Sequence, residues 1–298
     1  MATLYTEQGR NIRRTWLLMS VFFVLVIAVG YAVAWYLNSP GFLYLAVAVA
    51  ILMNVTSYWY SDKLVIAMTG AHQITRAQSP ELWNVVENLS ITAGLPMPKV
   101  YIVDDPAPNA FATGRNPEHA AVAATSGLLA ILDRSELEGV MAHELSHVGN
   151  RDMLVSTVAV VLAGFIAIIA DIFMRSMMWG GSDRDNRNGI LLALGIVGII
   201  LAPIAAQLIQ MAISRKREYL ADASGALLTR YPEGLASALQ KISAYSRPMR
   251  RANNATAHLF IADPFGTKKR TLAQKISNLF QTHPPVEDRI KRLRGLDT

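Results

Sequence analysis

At 298 residues the chain has room for one or two domains, so length excludes little. Composition excludes more: 52% hydrophobic against 17% charged, with a mean hydropathy of +0.28, departs from soluble domains, in which roughly a quarter of residues are charged. The absence of cysteine rules out disulfides, Cys-type zinc sites and thiol nucleophiles, and the net charge of +6 comes with no nucleic-acid motif, which argues for a membrane protein with no nucleic-acid partner.

In chain order, Arg10, Arg13 and Arg14 precede an uncharged run from Trp16 to Leu37. Three residues, Asn38, Ser39 and Pro40, link it to a second uncharged run, Gly41 to Tyr60, which ends in the aromatic cluster Tyr58, Trp59, Tyr60. A bilayer core needs about 20 apolar residues in a helix, so residues 1–61 read as a transmembrane hairpin. Ala32-Val33-Ala34 mimics a signal-peptide cleavage site, but the apolar run continues past it and a second follows at once, as in an uncleaved anchor. Leu154 to Phe173 and Ile190 to Ile213 predict a second hairpin over 154–213, with a buried core-helix pair as the alternative. Arg10, Arg13, Arg14, Lys63, Arg76, Arg151, Arg215, Lys216 and Arg217 fall on one side of a four-span plan, which makes that side cytoplasmic. The polar stretches 62–153 and 214–298 then face the cytoplasm together as two halves of one catalytic domain.

Within the first half, Lys99 to Val103 and Ala120 to Thr125 read as strands of a small sheet, with Asn109-Ala110-Phe111 between them. Ser135 and Glu138 form a capping-box pattern ahead of a helical run. Inside that run lies His143-Glu144-Leu145-Ser146-His147. The i, i+4 spacing puts both imidazoles on one helix face, where they can share a zinc ion, with Glu144 beside it as general base. A metzincin site is excluded, because its Gly and third His positions hold Asn150 and Met153. The remaining solution takes a carboxylate from another helix. Glu218 offers it, while Asp222, one turn later, can accept a hydrogen bond from a ligand imidazole and fix its tautomer. Two antiparallel spans would bring His147 and Glu218 out of the bilayer side by side. Glu233 to Ser246, Thr271 to Phe280 and Val286 to Arg294 read as amphipathic helices, and His72, His119 and His258 as surface residues.

These residues carry a resemblance. AHELSHVGNRD at 142–152, SRKREYLAD at 214–222, NAFATG at 109–114 and THPP at 282–285 are similar to the HtpX-type bacterial membrane zinc proteases and, more distantly, to the CAAX prenyl endopeptidases. The resemblance implies His143, His147 and Glu218 as ligands of one Zn2+ per chain, Glu144 as catalytic base and Asp222 as their support. It also implies a bacterial inner-membrane location and cleavage of unfolded or misassembled membrane proteins without ATP. Asn109, Ala110 and Phe111 look like the edge-strand motif of thermolysin-type peptidases, where a substrate pairs by backbone hydrogen bonds; a plain core role for Phe111 stays open. His283, stiffened by Pro284 and Pro285, is expected to stabilise the oxyanion, to occupy the metal at rest or to serve only the turn. The fold class expected is mostly α: four transmembrane helices with a helix-rich α+β, zincin-like gluzincin domain carrying a small sheet. Self-cleavage is expected of such an enzyme. The rivals are a CAAX-type prenyl peptidase and a non-catalytic membrane scaffold or holdase whose zinc is structural.

Overall fold

The computed structural model describes residues 4–36, 38–162, 214–251, 256–266 and 284–296. Two long helices come first, α1 (Leu4–Tyr36) and α2 (Gly41–Trp59). Both are long and apolar enough to cross a membrane. They differ from core helices in keeping their apolar side chains outward: Trp35 is 78% exposed, Tyr44 73% and Leu52 65%. Such a surface is unfavourable in water and suited to lipid. Between themselves the two helices approach closely, since a Cβ on Gly30 would run into Ala46, the small-residue contact that lets membrane helices pack.

After α3 (Ser61–Thr69) come the short strand β1 (His72–Gln73) and α4 (Pro80–Ala93). Gly94, at φ +65°, ends α4: its N–H bonds Ile91 and that of Leu95 bonds Ser90, a left-handed closure that glycine adopts without Cβ strain. Strands β2 (Lys99–Val103), β3 (Ala110–Gly114) and β4 (Ala120–Thr125) complete a mixed sheet of order β1-β2-β4-β3, with β2 parallel to β4 and β3 antiparallel to it at the edge. The strands Lys99–Val103 and Ala120–Thr125 agree with the sequence reading. The Ala-rich β4 is a strand despite alanine's helix preference because it lies between two neighbours and is buried throughout, where small side chains let helices approach.

The chain continues through α5 (Ser126–Ile131), α6 (Arg134–Asn150) and the apolar helix α7 (Asp152–Leu162), then resumes with α8 (Arg215–Thr229), α9 (Pro232–Ala244) and α10 (Val286–Arg294). Helix α6 is the hub. Its Leu137, Met141 and Leu145 share one core with Leu82 and Val86 of α4, Val122 and Ala124 of β4, Ala226 of α8 and Leu235 and Leu239 of α9. Residues from both sides of 163–213 therefore build a single core. A second cluster joins Leu18, Phe22 and Met53 of the hairpin to Leu154, Val155, Val158 and Leu162 of α7. At the junction, Asn11 Nδ2 on α1 donates to the Asn150 carbonyl at the end of α6, 3.3 Å away.

The α6 cap corrects the sequence reading by two residues. Asp133, not Ser135, is the N-cap: its carboxylate accepts from Glu136 N–H at 3.0 Å while Glu136 Oε2 accepts from Asp133 N–H at 2.9 Å. Asp wins because its side chain reaches the third helical N–H and Glu136 reaches back; Ser135 Oγ–H instead donates to Asp133 at 2.7 Å. Most of the second apolar hairpin, the helix expected over Thr271 to Phe280, and His283 lie outside the described residues.

Candidate metal and active site

Helix α6 delivers His143 and His147 one turn apart, their Nε2 atoms 3.2 Å from each other. Helix α8 packs against α6 so tightly that a Cβ on Gly225 would sit 3.0 Å from the His143 backbone nitrogen. This close approach brings Glu218, in the first turn of α8, to the imidazole pair: its oxygens are 3.9 Å from His143 Nε2 and 3.7 Å from His147 Nε2. His143, His147 and Glu218 form the one group suited to a metal ion among the described residues, with ligand atoms mutually within 4.8 Å.

The outer nitrogens are equally engaged. His143 Nδ1 lies 2.9 Å from Asp222 Oδ1, and His147 Nδ1 lies 3.1 Å from each oxygen of Asp152. Each carboxylate favours the tautomer with the proton on Nδ1, leaving the Nε2 lone pairs turned toward each other and toward Glu218. Zinc–ligand bonds of about 2.0–2.2 Å imply ligand separations of about 3.3–3.6 Å in a tetrahedron. The separations above bracket that range, so the donor set fits a zinc ion.

Arg289 of α10 closes the site from behind. It is fully buried, and its Nε and Nη2 donate to the two Asp222 oxygens at 2.9 and 2.7 Å. Its Nη1 lies 3.9 Å from Glu218 and 3.4 Å from the Ile261 carbonyl. Burial alone would raise the Asp222 carboxyl, but the Arg289 guanidinium and the His143 ring more than offset it and hold it down at about 2. Burial keeps the His143 imidazole below its usual value. It acts the same way on His147, where Asp152, Glu218 and Glu144 overcome it and lift the ring to about 10, so a cation bound at Nε2 must displace that proton. Burial, with the nearby Glu218, pushes the Glu144 carboxyl up to about 7 against the pull of His147 and Arg289. A dication beside these groups acts in the opposite sense to burial on the carboxyl.

Asp152 and Arg289 escape the sequence reading. Asp152 follows the motif directly, but only the left-handed Arg151, at φ +55°, turns the chain so that it faces His147. Arg289 sits in VEDRIKRLR, whose charges resemble a solvated face. Asn109, Ala110 and Phe111 lie at the start of the edge strand, all buried. Phe111 stacks edge-to-face on Phe260 with centroids 5.2 Å apart, and the Asn109 amide bridges to the Ala262 backbone. His72 and His119 are exposed.

Residues 76–297 match the family described as Peptidase family M48. The chain belongs to this family. A "Protease HtpX homolog" of Caldanaerobacter subterraneus subsp. tengcongensis is 48% identical over 302 residues, covering 99% of this chain and 98% of that protein. Another of the same description, from Tropheryma whipplei, is 50% identical over 293 residues, covering 98% of each. The M48 fold is shared with S. mikatae Ste24p, whose crystal structure aligns with a TM-score of 0.50 at 17% identity over 96% of this chain and 66% of that one. This M48 peptidase is thus a membrane metalloendopeptidase of the HtpX type, in agreement with the resemblance read from its motifs.

Proposed function

We propose that the enzyme hydrolyses peptide bonds of damaged or misassembled membrane proteins at a single zinc centre held by His143, His147 and Glu218. The observation that carries the proposal is the convergence of two Nδ1-anchored imidazoles and one carboxylate on a common point, with the Glu144 carboxyl beside them. A zinc ion bound there supplies Lewis acidity, polarising a peptide carbonyl and making a water acidic at neutral pH. Glu144 takes the proton from the attacking water and passes it to the leaving amine nitrogen as the C–N bond breaks. Asp222 and Asp152 hold the imidazoles in their tautomers, and Arg289 holds Asp222.

The fold reading that goes with this is a zincin-like catalytic domain made of 62–153 and 214–298, preceded by the hairpin 1–61 and interrupted by a second hairpin, 154–213. Four spans are read from the four apolar runs, a cytoplasmic domain from the distribution of arginine and lysine, and a bacterial inner-membrane location from the likeness to bacterial HtpX homologues. Edge pairing at Asn109 and Ala110 suits substrates of many sequences, as quality control requires. His283 would act at the oxyanion or on the resting metal. The likeness to Ste24p concerns the fold and carries no prenylated substrate. A structural-zinc scaffold would need a fourth protein ligand, and the group has three among the described residues.

The test reconstitutes wild type, Glu144→Gln and chelated enzyme with a membrane protein in its folded and its misfolded form. Cleavage of the misfolded form by wild type alone is expected; equal cleavage by all three would end the reading.

A further inference from the structure

Part of the outward edge of β3, at Ala110, is already taken by the chain itself. Asn109 faces β4, since Thr125 N–H donates to its carbonyl at 2.9 Å and its own N–H donates to Thr125 Oγ1 at 2.9 Å. Alternation along an antiparallel strand then turns the N–H and C=O of Ala110 and Ala112 toward the free edge. There the Ala110 carbonyl accepts from Ile261 N–H at 3.0 Å. One residue on, Ala262 N–H donates to Asn109 Oδ1 at 3.1 Å, and Asn109 Nδ2 returns a bond to the Ala262 carbonyl at 3.0 Å. The order, Ile261 on Ala110 and then Ala262 on Asn109, makes the segment antiparallel to β3. Phe260 is extended, with φ −79° and ψ 143°, and its ring packs on Phe111. Arg289 Nη1 grips the Ile261 carbonyl at 3.4 Å while the same guanidinium holds Asp222.

A short segment that runs antiparallel to a strand edge, with one N–H given to the edge, the next residue clasped by an asparagine amide and one carbonyl held by an arginine of the metal site, makes the contacts a bound peptide would make. We propose that Phe260-Ile261-Ala262 is an internal surrogate of the substrate, occupying the peptide-binding edge at rest and leaving when an extended substrate chain takes its contacts to Ala110, Asn109 and Arg289. The inference rests on the peptidase reading above. Mutual exclusion is its physical core: one carbonyl edge cannot serve two strands. Resting activity is then reduced by the fraction of time the segment is closed, which supplies the restraint that a cytoplasmic protease needs.

Two measurements test this on the full-length zinc enzyme, using a misfolded membrane protein that wild type is first shown to cleave. Absence of that cleavage would count against the peptidase reading and leave the segment's contacts to be judged by exchange alone. In Ile261→Pro, which lacks the N–H given to Ala110, KM should fall, by about tenfold if the segment is closed nine-tenths of the time. An unchanged or raised KM in a folded, zinc-loaded variant overturns the proposal. Should Ile261→Pro fail to fold, hydrogen exchange on otherwise unaltered Glu144→Gln decides. Deuterium uptake at Ile261 and Ala262 should rise when the substrate saturates the enzyme. Uptake that stays level or falls would make the segment a fixed wall of the site and refute its displacement.

Discussion

Glu144→Gln keeps the shape of the side chain and removes its ability to accept a proton. Turnover should fall by at least about 10²-fold while zinc content, measured on the same sample, stays at the wild-type level. Loss of zinc together with activity would instead assign Glu144 to the ligand set. Asp152 and Asp222 act through the imidazoles they hold, so Asp152→Asn should weaken zinc binding by about 10–100-fold in competition with a chelator. Arg289 is a harsher case. Replacing it with Met leaves the Asp222 carboxylate buried without its partner, at a cost of about 3–5 kcal/mol, to be read as a lowered Tm in detergent. Arg289→Lys keeps the charge but loses the two-pronged contact, and should fall between the two. At this scale the sequence was informative for the grouping of His143 and His147, because two imidazoles at i and i+4 around a glutamate already fix their own relative geometry on a helix. It was silent on Asp152 and Arg289, whose partners are set by a left-handed turn and by a helix docking from the far end of the chain.

Two helix contacts hold the site together. Gly225 permits α8 to lie against the His143 backbone, and Gly139 does the same for α9, where a Cβ would sit 2.5 Å from the Leu235 nitrogen. Gly225→Ala must push α8, and Glu218 with it, away from the imidazoles, so zinc affinity should drop although no ligand has changed; calorimetric titration of the metal-free protein checks this. The second contact is polar. Glu136, buried at the start of α6, accepts from Lys241 Nζ at 2.7 Å and Ser237 Oγ at 2.6 Å on α9. Burial alone would raise its carboxyl, but these donors and the Asp133 N–H more than offset it, and its pKa is lowered. A depressed carboxylate stabilises the fold above the ordinary range near 4.3, and the contribution is lost as pH falls through the folded value. Thermal unfolding should show Glu136→Gln less stable than wild type at neutral pH and the gap closing in acid. A gap that does not change with pH would contradict the assignment. The elements themselves were largely legible: β2, β4 and α10 match the sequence reading, while the α6 cap shifted because an aspartate two residues earlier competes better for the same N–H.

For the molecule as a whole, the outward apolar faces of α1 and α2 mark a membrane protein, and α6 meets α1 through the Asn11–Asn150 contact. Helix α6, which carries His143 and His147, is therefore seated on the first long apolar helix. Composition revealed the membrane class at once, and the plan of paired apolar runs anticipated that the two polar stretches share one core, whereas which helix faces meet there is not encoded in any local pattern. Because the chain lacks cysteine, sidedness can be read without background labelling. Ser39→Cys, between α1 and α2, should react with an impermeant maleimide from outside, and Thr92→Cys on α4 only after permeabilisation; the reverse pattern would invert the topology.

The most direct test counts zinc and cleavage together in wild type, Glu144→Gln and Glu218→Ala purified without chelator. The account predicts one zinc per chain in the first two, hydrolysis in wild type alone, and loss of both in Glu218→Ala. Hydrolysis that survives in Glu218→Ala, or in wild type stripped of its metal, would contradict it.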